Sequence, residues 1–323
     1  MEGLININNI EKYINTINCM DNLEFMKQLS DNSIDLIYCD ILYGTSRKFK
    51  DYDDKLGTPL EAMDWYKPRL IEMYRILKDT GNILLQMDNN LSHYMKVEMD
   101  KLFNLNNFQN EIIWKRSNGN SLSKSMTNIT DKILWYSKTN KFTYNQQYQE
   151  LKDNTYTLEK ETGRYFKHCS LENKPNFKYK GEKRVINNLV YKTDIGWKWS
   201  QETINKRLKE NPYIFYITKN NKVRYKVYQD ETKGKGITNL WDDINLVTST
   251  SNERIDYNTQ KPKTLLERII KMCSNENDII ADVFCGSGTT GVVAKKLNRK
   301  YILCDNNPKA CKISKERINK ITS

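Results

Sequence analysis

Two residues with side chains suited to chemistry follow a short apolar run near the start of the chain. In the segment DLIYCDILYGT, residues 35–45, Asp40 and Tyr43 stand where a buried strand would reach the surface. A carboxylate accepts hydrogen bonds from an amino group, and an aromatic ring stacks on a base. The pair therefore suits chemistry on an extruded nucleobase. The alternative for two such residues is a helix-capping acid beside a half-buried tyrosine.

A glycine-rich turn forms the second group, FCGSGTTG at residues 284–291. Gly286, Gly288 and Gly291 follow a predicted strand and open a predicted helix, and Asp305 ends the next strand. In a doubly wound sheet such glycines let a ligand approach the backbone, the helix N-terminus holds its anionic part, and the acid accepts from ribose hydroxyls. This order predicts a nucleotide-like ligand without saying which one. An ordinary tight turn is the alternative.

Both groups require strands that share one sheet. Apolar runs predict strands at 33–40, 81–88, 111–116, 132–138, 278–284 and 301–305. Helical spacing predicts helices at 62–81, which Gly81 would stop, and at 91–104, 263–274 and 289–298. The alternation predicts an α/β fold with a doubly wound, mostly parallel sheet. Asp40 and Gly286 then meet where ligands bind, at the carboxyl ends of the strands.

Length and composition limit the classes that remain. With 323 residues, 38% hydrophobic and 28% charged, the chain reads as one large α/β domain with a smaller inserted one. It has no apolar run near membrane-spanning length, and its first residues lack the layout of a signal peptide, so the expected location is the cytoplasm. Seven cysteines without a C-x-x-C pair and two histidines predict no metal site and no disulfide framework.

The positive charge is concentrated in the middle of the chain. Residues 115–236 carry 26 Lys and Arg against 12 Asp and Glu, a net +14, whereas residues 1–114 carry a net −6. Short basic and aromatic runs such as GRYFK, FKYK, GWKWS and VRYKVY alternate there with polar turns. A polyanion bound by this segment is the functional interpretation. A solvated lysine-rich face is the alternative.

Taken together, the motifs resemble those of amino-group DNA methyltransferases of the permuted, β-class order, in which the catalytic motif comes first and the cofactor motif last. The matching stretches are NSIDLIYCDILYGT, GNILLQMDNN, FQNEIIWKR, LWDDI, YNTQKPKTLLERII and ADVFCGSGTTGVVAKKLNRKYILCDNN. The resemblance implies a Rossmann-like methyltransferase fold. Its catalytic half would be residues 1–140, its inserted basic target-recognition domain 141–240, and its S-adenosylmethionine-binding half 241–323.

The resemblance also implies roles for individual residues. Asp40 and Tyr43 match the first and last positions of the catalytic motif D-P-P-Y, and Ile41 would offer its carbonyl to the base. The residues that match the cofactor motifs are Asp21, Lys261, Pro262, Asp282, Phe284, Gly286, Ser287, Gly288, Thr289 and Asp305. Asp305 would bind the ribose, and Asp21 would lie near the adenine end, although Met20 replaces the usual glycine before it. The expected phosphate contacts are Lys178, Lys180, Lys183 and Arg184.

The activity implied is site-specific methylation of double-stranded DNA, with S-adenosyl-L-methionine as donor and no metal. An acid in the first position of the motif is associated with N6 of adenine, and serine with N4 of cytosine, so adenine is expected. A restriction–modification context is implied as well. The further partners suggested are a cognate restriction endonuclease and a second copy of the chain.

One departure from the family pattern keeps alternatives open. Ile41 and Leu42 replace the two prolines, which fix φ and lack an N–H group. The active site is then looser, differently tuned or inactive. The alternatives are an inactive DNA-binding relative, an N4-cytosine methyltransferase, and, on the glycines alone, an NAD-dependent oxidoreductase.

Overall fold

The computed structural model describes residues 10–43, 56–118, 126–149, 156–172, 179, 181–248, 250–255, 257 and 259–321. The chain divides into two compact units. The larger unit comprises residues 1–147 and 237–323, and the smaller unit comprises residues 148–236.

The larger unit alternates strands and helices on both sides of the smaller one. Its first part contains β1 (Thr16–Cys19), α1 (Asn22–Met26), β2 (Ile34–Asp40), α2 (Pro59–Ile76), β3 (Leu77–Met87), α3 (Asn89–Phe103), β4 (Phe108–Lys115) and β5 (Thr130–Ser137). The smaller unit contains β6 (Tyr148–Gln149), β7 (Thr157–Leu158), β8 (Tyr165–Ser170), β9 (Lys183–Ile186), β10 (Leu189–Lys192), α4 (Gln201–Glu210), β11 (Phe215–Ile217), β12 (Val223–Tyr228) and β13 (Lys235–Gly236). The larger unit then resumes with β14 (Leu240–Trp241), α5 (Lys263–Cys273), β15 (Ile279–Asp282), α6 (Thr289–Lys296), β16 (Lys300–Asp305) and α7 (Pro308–Asn319).

In the described part of the larger unit, eight strands form one sheet in the order β1-β16-β15-β2-β3-β5-β4-β14. Every described pairing in it is parallel except those of β5, which runs antiparallel to both β3 and β4. The strands β15 and β2 are neighbours, with Ile280 opposite Leu36, and the chain leaves them toward opposite edges of the sheet. The order therefore reverses between β15 and β2, where open α/β sheets bind their ligands.

Apolar cores on both faces of this sheet explain its near-continuous hydrophobic strands. On β2, Ile37 and Cys39 pack into the cluster formed with α1, α2 and α3, whereas Leu36 and Tyr38 pack into the cluster formed with α5 and α6. All four residues are at most 1% exposed. The predicted α/β fold with a doubly wound, mostly parallel sheet is confirmed.

One predicted boundary is wrong. Gly81 does not stop the second helix, because α2 ends at Ile76 and Gly81 lies inside β3. The last carbonyls of α2 accept hydrogen bonds from residues that are distant in sequence. Asn32 N–H donates to Arg75 O (3.1 Å) and Ser33 N–H donates to Ile76 O (2.8 Å). A helix end capped by another segment leaves no local sequence signal.

The smaller unit is antiparallel and has its own core. Four strands pair in the order β11-β12-β8-β7, β9 and β10 form a separate hairpin, and α4 contributes Ile204 to the buried cluster. GRYFK and VRYKVY lie largely in β8 and β12. GWKWS supplies Trp197, which is 3% exposed, while most of FKYK lies outside the described residues.

The smaller unit is shorter at each end than the predicted 141–240. Residues before Tyr148 stay with the larger unit because Asn82 Nδ2 donates to Thr143 O (2.8 Å) and Asn145 N–H to Met272 O (2.8 Å). At the other end, Leu240 and its neighbour rejoin the large sheet as β14.

The smaller unit is basic: residues 148–236 carry 20 Lys and Arg against 11 Asp and Glu, a net +9. The remaining basic residues of the middle segment therefore belong to the larger unit.

Among the described residues, no helix is long and apolar enough to cross a membrane. The same residues contain no group of three or more His, Cys, Asp or Glu side chains that could hold a metal ion.

Candidate active site

A cavity of about 910 Å³ opens in the larger unit at the carboxyl ends of β2 and β15. Its volume lies within the range of small-molecule and cofactor sites. The predicted site residues that line it are Asp21, Asp40, Ile41, Tyr43, Lys261, Asp282, Phe284, Gly286, Ser287, Thr289 and Asp305. Gly288 and Pro262 do not line it and instead shape the adjoining backbone. The structure thus brings both chemical groups of the sequence to one cavity.

The glycine turn is shaped by close backbone packing against α7. Gly288 has a φ of +73°, and a Cβ there would lie 2.5 Å from Ser314 Oγ, so the position requires glycine. Ser314 Oγ donates to Gly286 O (2.9 Å), and Arg317 Nη1 donates to Ser287 Oγ and Thr289 Oγ1, both at 3.0 Å. These contacts hold the loop between β15 and α6 in one conformation.

Two carboxylates flank this loop. Asp305 Oδ2 accepts from Gly286 N–H (2.8 Å) and its Oδ1 from Asn307 N–H (2.9 Å), which ties the end of β16 to the glycine turn. Asp282 is buried and accepts from Phe284 N–H (3.1 Å) and from the Thr290 hydroxyl. Burial raises the pKa of Asp282 to about 7, although both hydrogen bonds oppose the shift. Asp282 therefore holds this loop through two hydrogen bonds, and its relation to a cofactor stays a prediction.

The far wall of the cavity combines Asp21 with an aromatic group. Asp21 caps α1 by accepting from Leu23 N–H (2.9 Å) and pairs with Arg69 Nη2 (2.8 Å). The Arg69 guanidinium also stacks over Trp65, 3.5 Å from the ring centroid, and Trp65 lies 6.1 Å from the Phe284 ring. An apolar wall with one anchored carboxylate suits the adenosine part of a ligand.

Asp40 stands at the end of β2 with a partner on each oxygen. Oδ1 accepts from the Tyr43 hydroxyl (2.8 Å), and Oδ2 forms an ion pair with Lys261 Nζ. Burial raises the pKa of Asp40, and the Lys261 ammonium counteracts this rise. Lys261 thus favours the charged form of a largely desolvated carboxyl group, a contact that the sequence pattern did not assign to it.

The two residues that replace the family's prolines are held firmly. Ile41 is 3% exposed in the core, and its N–H donates to Gln86 O (3.1 Å), which continues the contact between β2 and β3. The Leu42 carbonyl accepts from the Tyr66 hydroxyl (2.8 Å). The Ile41 N–H group, which a proline would lack, therefore has a partner. The backbone at this position is held by that hydrogen bond although proline is absent.

A polar group around Asp131 was not predicted from the sequence; it comprises Tyr38, Gln86, Arg116 and Asp131. Asp131 Oδ2 accepts from Gln86 Nε2 (2.9 Å) and lies 3.1 Å from the Tyr43 hydroxyl. Tyr38 donates to Gln86 Oε1 (2.7 Å), and Arg116 pairs with Asp131. The only signal in the sequence is an acid directly before the apolar run of β5.

The comparison with protein families decides the class. A family model described as DNA methylase, N6_N4_Mtase, matches residues 34–316. The chain belongs to this family. It is a DNA methyltransferase of the N6/N4 class, and the match spans both halves of the larger unit.

Curated relatives of this methylase are named as type II methyltransferases and as subunits of type III restriction–modification enzymes. It is 28% identical to the type II methyltransferase M.KpnI of Klebsiella pneumoniae, covering 95% of this chain and 84% of the relative. It is 26% identical to the type II methyltransferase M1.MboII of Moraxella bovis, covering 91% and 92%. With the StyLTI Mod subunit of a type III enzyme of Salmonella typhimurium it shares 25% identity over 94% of this chain, but spans only 56% of that subunit.

Two solved structures share the fold of this methylase. The PvuII DNA methyltransferase, which is cytosine-N4-specific, aligns with a TM-score of 0.54 at 15% identity, covering 95% of this chain and 87% of that one. A DNA modification methylase of Thermus thermophilus, TTHA0409, in complex with S-adenosyl-L-methionine, aligns with a TM-score of 0.51 at 17% identity, covering 94% and 93%. They agree with the predicted Rossmann-like methyltransferase fold.

The predicted phosphate contacts of this methylase differ in their surroundings. Lys178 and Lys180 lie outside the described residues, and Lys183 is exposed on β9. Arg184 is only 4% exposed; its Nε donates to Trp199 O (3.1 Å) and its Nη1 pairs with Glu182. The side chain of Arg184 therefore supports the core of the smaller unit and is not exposed to a phosphate in this structure.

Proposed function

We propose that this methylase transfers a methyl group from S-adenosyl-L-methionine to N6 of adenine in double-stranded DNA. The observation that carries the proposal is the position of Asp40, an anionic acceptor at the switch point of the sheet and in one cavity with Asp305 and the glycine turn. The resemblance associates an acid at this position with adenine. The cytosine-N4-specific relative in fold makes cytosine the competing product to be tested.

The residues present fit the cofactor. A glycine that admits no Cβ, backbone N–H groups at the start of α6, and the aromatic wall of Trp65 and Phe284 suit an adenosyl and amino-acid ligand. Asp305 would hold the ribose, Asp21 would lie near the adenine, and the Gly286–Thr289 turn would hold the methionine end. When bound, the cofactor supplies an electrophilic methyl group on a sulfonium.

The chain's own contribution is to hold and orient the nucleophile. The N6 amino group of a flipped adenine donates to Asp40 and to the Ile41 carbonyl, while the Tyr43 ring stacks on the base. The bound cofactor would supply the methyl group to this nitrogen and leave as S-adenosylhomocysteine, and Asp40 would accept the proton that the amino group loses. Positioning supplies much of the rate enhancement, because a sulfonium methyl needs no further activation.

The smaller unit is the proposed target-recognition domain. Its net charge of +9 suits a polyanion. On the β9–β10 hairpin Lys183 lies directly opposite Lys192, and Val185 lies opposite Val190. Both valines are exposed, by 46% and 61%. Facing like charges destabilise a free hairpin, whereas a phosphate backbone over this face would neutralise them.

The relatives' names support a place in a restriction–modification system. A cognate endonuclease and a homodimer remain predictions. Incubation of duplex DNA with the protein and S-adenosyl-L-methionine, followed by mass-resolved nucleoside analysis, tests the activity. N6-methyladenine is the expected product; N4-methylcytosine would refute the base assignment, and no methylated base would refute the activity.

The hairpin has its own test. Replacing Lys183 and Lys192 by Gln removes two phosphate contacts and is expected to reduce the slope of log affinity against log salt by about 2. The matched control is Lys206 and Lys209 on α4 of the same unit, replaced in the same way. An equal loss of slope in the control would mean that overall charge, and not the hairpin, sets DNA affinity.

A further inference from the structure

The Tyr43 hydroxyl lies between two carboxylates. It is 2.8 Å from Asp40 Oδ1 and 3.1 Å from Asp131 Oδ2. A phenol carries one proton and donates it to one acceptor at a time. Tyr43 therefore has two alternative acceptors within reach of almost the same ring position.

Asp131 is a fixed acceptor. It is 2% exposed, near the start of β5, and Gln86 Nε2 donates to the same oxygen that faces Tyr43. The Gln86 amide is oriented in turn by the Tyr38 hydroxyl, which donates to Gln86 Oε1. Arg116 Nε lies 2.8 Å from the other oxygen, Oδ1, as an ion pair without a directed hydrogen bond. The pair balances a charge that burial alone would disfavour.

Asp40, by contrast, has one partner on each oxygen, Lys261 on Oδ2 and Tyr43 on Oδ1. Each carboxylate oxygen accepts up to two hydrogen bonds, so an amino group that donates to Oδ1 would share this oxygen with Tyr43. Tyr43 has a second acceptor 3.1 Å away, because Asp131 Oδ2 accepts from Gln86 and can accept from the hydroxyl as well.

We propose that Asp131 is a positioning residue for methyl transfer, which takes the Tyr43 hydroxyl and so leaves Asp40 Oδ1 to the amino group of the base. The proposal rests on the proposed function. Asp131 touches neither the base nor the methyl group in this account, and acts through Tyr43. Tyr38, Gln86 and Arg116 keep it in place.

A double-mutant cycle isolates this role. Asp131→Ala should lower the single-turnover methylation rate roughly 10- to 100-fold. This factor corresponds to the free energy of one hydrogen bond to a charged group. Asp131→Asn retains an oxygen for Tyr43 and should recover part of the rate. In a Tyr43→Phe background the hydroxyl is absent, so Asp131→Ala should cost less than about threefold. A merely structural Asp131 would cost the same factor in both backgrounds, and that result would overturn the proposal.

The contact itself is measured apart from activity. Urea unfolding is measured for the wild type, Asp131→Ala, Tyr43→Phe and the double variant. The unfolding equilibrium constant of the double variant should differ roughly tenfold from the value expected if the two single effects were additive. Additive effects there would overturn the proposal whether or not the protein methylates DNA. If the wild type transfers no methyl group, the proposed function fails and the role of Asp131 in it fails too. If the wild type methylates DNA and the cycles are additive, only the role of Asp131 is refuted.

Discussion

Substituting proline for Ile41 tests whether the active-site loop is adapted to its unusual residues. The substitution restores the family's residue at this position but removes the N–H that donates to Gln86 O at 3.1 Å. The net value of such a bond is about 0.5–1.5 kcal/mol, and a buried carbonyl left without a partner costs about 1–3 kcal/mol. Because Ile41 is 3% exposed, the smaller ring also leaves part of its space unfilled. We expect Ile41→Pro to lower the free energy of unfolding by about 2–4 kcal/mol.

Two control variants separate the causes. Ile41→Val removes one methylene but keeps the N–H, and should cost about 0.5–1.5 kcal/mol. Leu42→Pro changes the neighbouring position, where the carbonyl, not the N–H, forms the contact with Tyr66. It should cost less than Ile41→Pro.

Urea unfolding and single-turnover methylation of the same variants are the assays. A displacement of the backbone directly after Asp40 should lower the rate of Ile41→Pro at least about tenfold, since small errors of position are costly in catalysis. Equal or greater stability of Ile41→Pro, together with a faster rate, would refute this reasoning. It would show that the loop has decayed from a proline-containing form and is not adapted to isoleucine.

Three further predictions follow from the carboxylates of the site. Asp305→Ala should weaken S-adenosylhomocysteine binding in calorimetry about 10- to 100-fold while leaving DNA affinity unchanged; unchanged cofactor affinity would remove the ribose role. Lys261→Gln removes the ammonium charge that lowers the pKa of Asp40, a carboxyl group that Tyr43 and Asp131 also face. The pKa of Asp40 should therefore rise, and the acid limb of the pH–rate profile should move to higher pH. A shift to lower pH would contradict the ion pair. Burial raises the pKa of Asp282 from 3.8 to about 7 in the folded protein, so the folded state binds more protons than the unfolded state between these pH values. The free energy of unfolding should therefore fall as the pH rises from about 4 to 7. Asp282 alone should account for on the order of 4 kcal/mol of this fall. Asp282→Asn should lack that part of the pH dependence, and an identical slope in both proteins would assign it to other groups.

The sequence was sufficient for those features that follow from local pattern. Short apolar runs ending in an acid placed Asp40 and Asp305 at strand ends, and the glycine spacing placed Gly286 beside them. Parallel strands bring their carboxyl ends to one edge, so the meeting of these residues in one cavity follows from the pattern. Family resemblance added the reaction and the order of the segments.

What could not be predicted depends on contacts between distant segments. Asp131 reaches Tyr43 across 88 positions and Gln86 across 45, because β5 inserts antiparallel between β3 and β4. The same limit applies to Arg184, whose charge suggested a phosphate contact but whose guanidinium is bound within the smaller unit. Charge and spacing describe which residues are present, whereas burial depends on the tertiary packing around them.

The most direct test of the account is single-turnover methyl transfer by Asp40→Asn. This variant keeps the shape of the side chain and removes the negative charge that the N6 amino group is proposed to need. Cofactor binding by calorimetry and DNA binding by a mobility assay serve as controls, since the contacts proposed for both lie elsewhere. N6-methyladenine formation should fall at least about a hundredfold, while both affinities should stay within about threefold of the wild type. Methylation at the wild-type rate by Asp40→Asn would contradict the assignment of this carboxylate as the group that holds the base.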